Sequence, residues 1–149
     1  MIFQSEREPG NPFFQIYLMD LETGDIERVS PGHGKTTCAW IHPDGERVLF
    51  ASTHEDPEAR QKQREELDKR ARGQGSRYSW SFDEHYDIYE TDSQGAILRK
   101  LTNAPGYDAE GSWSPDGKRV VFASNRHVAS SDDAEELDIY SVAPDGSGL

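Results

Sequence analysis

Asp87-Ile88-Tyr89, then Leu101-Thr102, then Trp113-Ser114-Pro115-Asp116-Gly117-Lys118-Arg119-Val120-Val121-Phe122-Ala123-Ser124-Asn125-Arg126 form the stretch that decides the fold, because its parts recur. Ile16-Tyr17 returns as Ile88-Tyr89, Pro43-Asp44-Gly45 as Pro115-Asp116-Gly117, and Phe50-Ala51-Ser52 as Phe122-Ala123-Ser124, each pair 72 positions apart. Three motifs on one offset mark an internal structural repeat. The flanks fit the same pattern: Phe3-Gln4-Ser5 resembles the close of the Phe-Ala-Ser segment, and Ile139-Tyr140 opens a third Ile-Tyr segment.

Each unit reads as short strands. Arg47–Ala51 and Arg119–Ala123 are runs of apolar β-formers, long enough for a buried strand and too short for a helix. Pro-Asp-Gly before each run presets φ at proline and tolerates positive φ at glycine, which closes a tight hairpin with the preceding Trp40 or Trp113 strand. Ile-Tyr starts the next strand, Glu22-Thr23-Gly24 or Ser93-Gln94-Gly95 turns it, and Ile26–Val29 or Leu98–Leu101 completes the set. Four strands in meander order, repeated in sequence, predict an all-β fold of β-propeller blades rather than a sandwich. The expected division is 1–30 for the end of a first blade, 31–102 for a second, and 103–149 for an incomplete third, about two and a half blades in all. Propellers close with about 4 to 8 blades. A partial propeller of this kind is expected to be a fragment of a longer chain or to self-associate until the ring is complete.

The second unit is similar almost throughout to the TolB-like (WD40-like, PD40) β-propeller repeat, with its DIY, LT, WSPDGKR and FxSxR segments. The first is looser: Val29-Ser30 replaces Leu-Thr, Ile41-His42 stands for Trp-Ser, and His54 stands for the arginine. The resemblance implies a ring of six or so blades around a channel and export to the periplasm or cell exterior. It also implies one of two roles: a non-enzymatic scaffold that binds protein or peptide partners, or the substrate-gating propeller of a larger peptidase whose catalytic domain lies outside this sequence. Such repeats specify a scaffold more than an activity. Arg126 is expected to pair with Asp138 across a hairpin mouth, and His54 with Asp87 in the middle copy, where a histidine can respond to pH near neutrality.

Charge narrows the alternatives. At −12 formal net charge, with no basic stripe, the chain repels nucleic acid and anionic lipid. No apolar run is long enough to span a bilayer, and Met1 opens no signal peptide. Cys38 stands alone without a CxxC partner and is expected to be a structural thiol.

Hydrophobic residues make up only 34% and charged residues 30%, so some charge must lie in a solvated segment. That segment is an insertion at about 54–80. Thirty-six positions separate Ser52 from Ile88, against 15 from Ser124 to Ile139 and 11 from Ser5 to Ile16. Asp56 as N-cap, Pro57 at the first helical position and Gly73 as terminator predict a helix over 58–71. Glu58/Lys62, Glu65/Lys69 and Glu66/Arg70 have the spacing of exposed ion pairs, so this helix is expected to project from the propeller rim. Tyr78, Trp80 and Phe82 then alternate with polar residues, a partner's landing site or packing beneath the insertion.

No sequence pattern supplies catalytic chemistry, a cofactor or a metal centre. Gly32-His33-Gly34-Lys35-Thr36 ends like a phosphate loop, yet Val29 stands where the motif's first glycine belongs. Asp132, Asp133, Glu135 and Glu136 lack the spacing of an EF-hand; a solvated acidic loop is expected, with weak calcium binding the alternative. Candidate ligand contacts are instead geometric. Loops entering the innermost strand of each blade converge on one channel mouth, which brings forward His33, Lys35, Tyr107, Asp108 and Glu110.

Overall fold

The computed structural model describes residues 1–75, 82–127 and 136–149. Among these residues, ten strands form three antiparallel sheets. The first holds β1 (Ile2–Ser5), β2 (Gln15–Met19) and β3 (Ile26–Arg28) in sequence order. The second holds β4 (Thr36–Ile41), β5 (Arg47–Ser52), β6 (Asp87–Asp92) and β7 (Ile97–Lys100), with helix α1 (Ala59–Ala71) between β5 and β6. The third holds β8 (Asp108–Trp113), β9 (Val120–Ser124) and β10 (Asp138–Val142).

Register aligns the sheets. Phe3 lies opposite Tyr17, Phe50 opposite Tyr89, and Phe122 opposite Tyr140, and all three pairs stack. Strand β1 is therefore the counterpart of β5 and β9, so the first sheet carries the last three strands of a blade and the third sheet the first three. A cation sits on each aromatic pair. Arg7 Cζ is 5.1 Å from the Phe3 ring and Arg126 Cζ is 5.1 Å from the Phe122 ring, while in the middle sheet the His54 ring lies 4.4 Å from Tyr89 and Lys100 Nζ 5.6 Å from it. Such contacts contribute about 0.5–2 kcal/mol each. The recurrent arginine of the Phe-x-Ser-x-Arg motif thus acts as a lid on the strand pair.

The Pro-Asp-Gly segments form the expected hairpin turns, with φ of 80° at Gly45 and 67° at Gly117. Apolar side chains alternate between the two flanks of each sheet and bury between sheets. Ile16, Val29, Val48, Phe50 and Tyr89 form the core between the first and second sheets. A larger core between the second and third contains Leu49, Ile88, Leu101, Tyr107, Trp113, Val120 and Phe122. Each such side chain stabilises the stack by about 1.5–3 kcal/mol on burial. Gly111 makes the close approach of β8 possible: an added Cβ would lie 3.0 Å from Leu49 Cδ2 and 3.2 Å from Ile88 Cδ1.

Two expectations are corrected. Arg126 does not take Asp138; its guanidinium bonds Asp108 Oδ2 at 2.8 Å and Ser124 Oγ, while Asp138 faces His127 at 3.4 Å. His54 does not take Asp87; its Nδ1 contacts Ser52 Oγ, and Asp87 is held by Lys100 at 2.8 Å and by the Thr102 hydroxyl. Burial pushes the His54 pKa below its ordinary value, so this histidine is neutral at neutral pH.

Candidate functional site

Strands β4, β6 and β8 begin, and β5, β7 and β9 end, at one end of the sheets, where most of the sequence-selected residues gather. Helix α1 lies at this end too. Asp56 turns the chain into it, though not as its cap: Asp56 Oδ1 accepts from the Glu58 amide, and Glu58 holds the N-cap position. Gly73, at φ 71°, terminates the helix as expected.

The helix does not project freely; polar contacts dock it across two sheets. Buried Gln63 accepts from the Gly34 amide at 2.9 Å and donates to Gly10 O, and Arg70 pairs with Glu6. Lys62, expected to pair with Glu58, instead reaches buried Asp56 at 2.7 Å and Asp83 at 3.2 Å. Lys35 also bonds Asp83, at 2.9 Å. Of the expected surface pairs, Glu66–Arg70 forms, and Glu65 accepts from Gln61. A helix without an apolar face is held here by complementary donors and acceptors.

Asp56, Asp83 and His85 bring possible metal-ligand atoms within 4.8 Å of one another. The Lys35 and Lys62 ammoniums already supply the counter-charge to both carboxylates. Burial alone would raise these two acids; for Asp56 the Lys62 ammonium and the Glu58 amide outweigh it, and for Asp83 the two lysines do, so both pKa values lie below the ordinary range. Lys62 is raised, because its carboxylate partners outweigh burial. A depressed acid contributes stability that is present above about pH 4 and lost as pH falls through its folded pKa; a raised lysine loses its contribution only above about pH 10. Intrinsic-rate-corrected amide hydrogen exchange over 59–71 is therefore expected to stay constant from pH 7 to 5 and to accelerate below about pH 4, ahead of the strands. Equal acceleration in helix and strands would contradict this latch.

The phosphate-loop lookalike is closed to anions. The Gly32, Gly34 and Lys35 amides donate to Gln15 Oε1, Gln63 Oε1 and Thr53 Oγ1. His33 Nε2 is 3.1 Å from His54 O. Tyr107 and Asp108 are each 1% exposed: the Tyr107 ring packs in the core between the second and third sheets, its amide donates to Asn125 and its hydroxyl to Glu110, while Asp108 holds Arg126 within the third sheet. Glu110 is solvent-exposed. It accepts from Cys38 Sγ at 2.6 Å.

That last pair escaped sequence reasoning. Cys38 (φ 53°) and Glu110 (φ 59°) are 72 positions apart, each the left-handed residue of a β-bulge where β4 and β8 slip register. Burial, then the bond to Glu110, pushes the Cys38 thiol up to about 12, which keeps it protonated and unreactive. Equal offset in the repeat was the available signal. Of the expected aromatic patch, Tyr78 and Trp80 lie outside the described residues; Phe82 stacks on Tyr107 at 5.2 Å against the larger core. Asp132, Asp133 and Glu135 also lie outside them.

Beside this cluster, outside the expected set, is a cleft of about 400 Å³. Glu55, Asp56, Glu84, His85, Asp87 and Lys100 line it, with the 103–106 loop as its far wall. Lys100 is bound by both Glu55 and Asp87, each at 2.8 Å, so the cleft stays net negative.

No family model matches the chain. A protein from Chlorobium luteolum described as a TolB homolog is 26% identical, in an alignment covering 85% of this chain and 31% of that protein. The TolB homolog of Chlorobium chlorochromatii is 38% identical over 48 residues, 11% of its length. Among solved structures, a putative TolB from Agrobacterium tumefaciens superposes with a TM-score of 0.64 at 19% identity, over 99% of this chain and 43% of that one. TolB from Acinetobacter baumannii gives 0.58 at 24% identity, over 99% of this chain and 27% of that one. The chain thus spans less than a third of the curated relatives it matches.

Proposed function

Because the chain belongs to the TolB-like β-propeller family, we propose that it is a non-enzymatic scaffold that holds a protein or peptide partner at the end of the sheets where α1 docks. The observation that carries this reading is the acidic cleft between the α1 loop and the 103–106 loop. A cleft of that size admits one or two side chains, and its excess of carboxylates selects cationic ones, so the partner presents lysine or arginine from an extended segment. Attraction of this kind speeds encounter and fixes orientation, and it weakens with salt. The family resemblance supports an encounter in the periplasm or at the cell exterior.

Fluorescence anisotropy with two labelled peptides of equal length, one rich in lysine and arginine and one rich in glutamate, tests the reading. The basic peptide is expected to bind and the acidic one not, with binding weakened by salt and about tenfold by the paired substitution Glu55→Lys, Glu84→Lys. Equal binding of both peptides, or no effect of the charge reversal, would refute it.

A further inference from the structure

Helix α1 uses one face for docking and leaves the other without partners. Ala59, Lys62, Gln63, Glu66 and Arg70 recur at three- and four-residue spacing, which puts them on one side of the helix. They carry its contacts: Ala59 and Gln63 are buried, Lys62 reaches Asp56 and Asp83, and Arg70 takes Glu66 and Glu6. Arg60, Arg64, Asp68 and Arg72 follow one another at four-residue steps along the opposite arc, and all four are exposed. Among the described residues none of these four side chains forms an ion pair or a hydrogen bond.

The rest of the chain treats its cations differently. With 16 lysines and arginines against 28 acids, a cation has carboxylates to choose from, and those on the sheets take them: Arg28 holds Glu8, Arg47 holds Glu90 and Arg126 holds Asp108. The α1 row sets three arginines against one aspartate, a positive ridge on a chain of −12 formal net charge. Its exposure follows from which face of the helix docks, because α1 springs from the second sheet, whose two flanks are both packed against neighbouring sheets. The row also begins beside the acidic cleft, since Asp56 lines the cleft and turns the chain into the helix.

We propose that this row holds an acidic segment of the partner, adjoining the basic residues that enter the cleft; the proposal rests on the reading of the cleft given above. Residues four apart on a helix rise by about 6 Å, and alternate residues of an extended chain by about 6.6 Å, so acids at every second position match the arginines. Arg60 to Arg72 spans about 18 Å, the length of about six extended residues. Guanidinium groups suit this partner because each can fork onto a carboxylate with two parallel hydrogen bonds. The chain's net charge repels a free acidic peptide, so the segment binds only when the basic anchor holds it close, at high effective concentration.

Fluorescence anisotropy with two labelled peptides tests the proposal. Both carry the same basic block and a short glycine-serine spacer; one continues with glutamate alternating with serine, the other with glutamine alternating with serine. The glutamate peptide is expected to bind about fivefold to tenfold more tightly at low salt. The triple substitution Arg60→Gln, Arg64→Gln, Arg72→Gln is expected to erase that difference while the helical circular-dichroism signal is kept, because glutamine is a good helix former. Vesicles of phosphatidylglycerol are expected not to sediment the chain. Equal binding of the two peptides would overturn this proposal alone, as would a triple variant that keeps the glutamate preference. Sedimentation with the vesicles that the triple substitution abolishes would also overturn it, by giving the row to a membrane. Failure of both peptides to bind would overturn the reading of the cleft and this proposal with it.

Discussion

Replacing Arg126 by leucine is expected to lower the unfolding free energy by about 3–5 kcal/mol, because it leaves the Asp108 carboxylate buried without its counter-charge. Leucine retains apolar contact with the Phe122 and Tyr140 rings, so the loss reports the charge more than the packing. Adding Asp108→Asn to Arg126→Leu is then expected to recover much of the loss, since no buried charge remains unpaired. Urea unfolding of the two single variants and the double completes the cycle. Additive losses would mean that the two side chains do not act as a pair. The same experiment separates Asp108 from Asp138, because Asp138→Asn, at an exposed position, is expected to change stability by less than about 0.5 kcal/mol.

Trp113→Ala is expected to cost about 3–5 kcal/mol, through the cavity it opens in the core between the second and third blades. The indole carries that interface at its open end: His42 packs edge-on against it at 4.6 Å, and the Arg47 guanidinium lies 5.7 Å from its ring. Its Nε1 is buried and has no hydrogen-bond partner among the described residues. Trp113→Phe therefore removes volume without orphaning an acceptor, and its cost is expected to fall well below that of alanine, at about 1–2 kcal/mol. Thermal or urea unfolding distinguishes the outcomes. A phenylalanine variant as unstable as the alanine one would mean that the indole nitrogen has a role the geometry does not show.

The blades were legible in the residues because what makes them is local. Pro-Asp-Gly closes a hairpin whatever surrounds it, and Val-Leu-Phe-Ala and Val-Val-Phe-Ala can bury only as strands. A repeat then makes each such inference twice. Helix α1 was legible for the same reason, through Gly73 and a run of good helix formers. Its docking was not. A helix with no apolar stripe leaves no periodic trace of what it faces, and its contacts depend on Gln63 meeting Gly34 and Gly10 from loops more than 25 residues away.

The Arg126 pairing shows the boundary most clearly. Ser124 on β9 lies opposite Asp138 on one side and Asp108 on the other, so both aspartates stand beside the strand end from which Arg126 emerges. Nearness in sequence favours Asp138. Burial favours Asp108, which is 1% exposed and has far more to gain from a guanidinium than a solvated carboxylate does. The candidate site divides in the same way. The repeat brought His33, Lys35 and residues 107–110 to one end of the sheets, but side-chain burial turned Tyr107 into the core between blades and Asp108 onto Arg126, and gathered Glu55 and Glu84 from loops, with Asp87 and Lys100 from the ends of β6 and β7, around the cleft. By itself the sequence determined the repeat, the strands and their order, because hairpins and alternation are short-range properties of the chain. Which flank each blade buries, which carboxylate each cation meets and where an open cleft remains were decided only by the stacking of sheets, where desolvation ranks partners that sequence distance cannot.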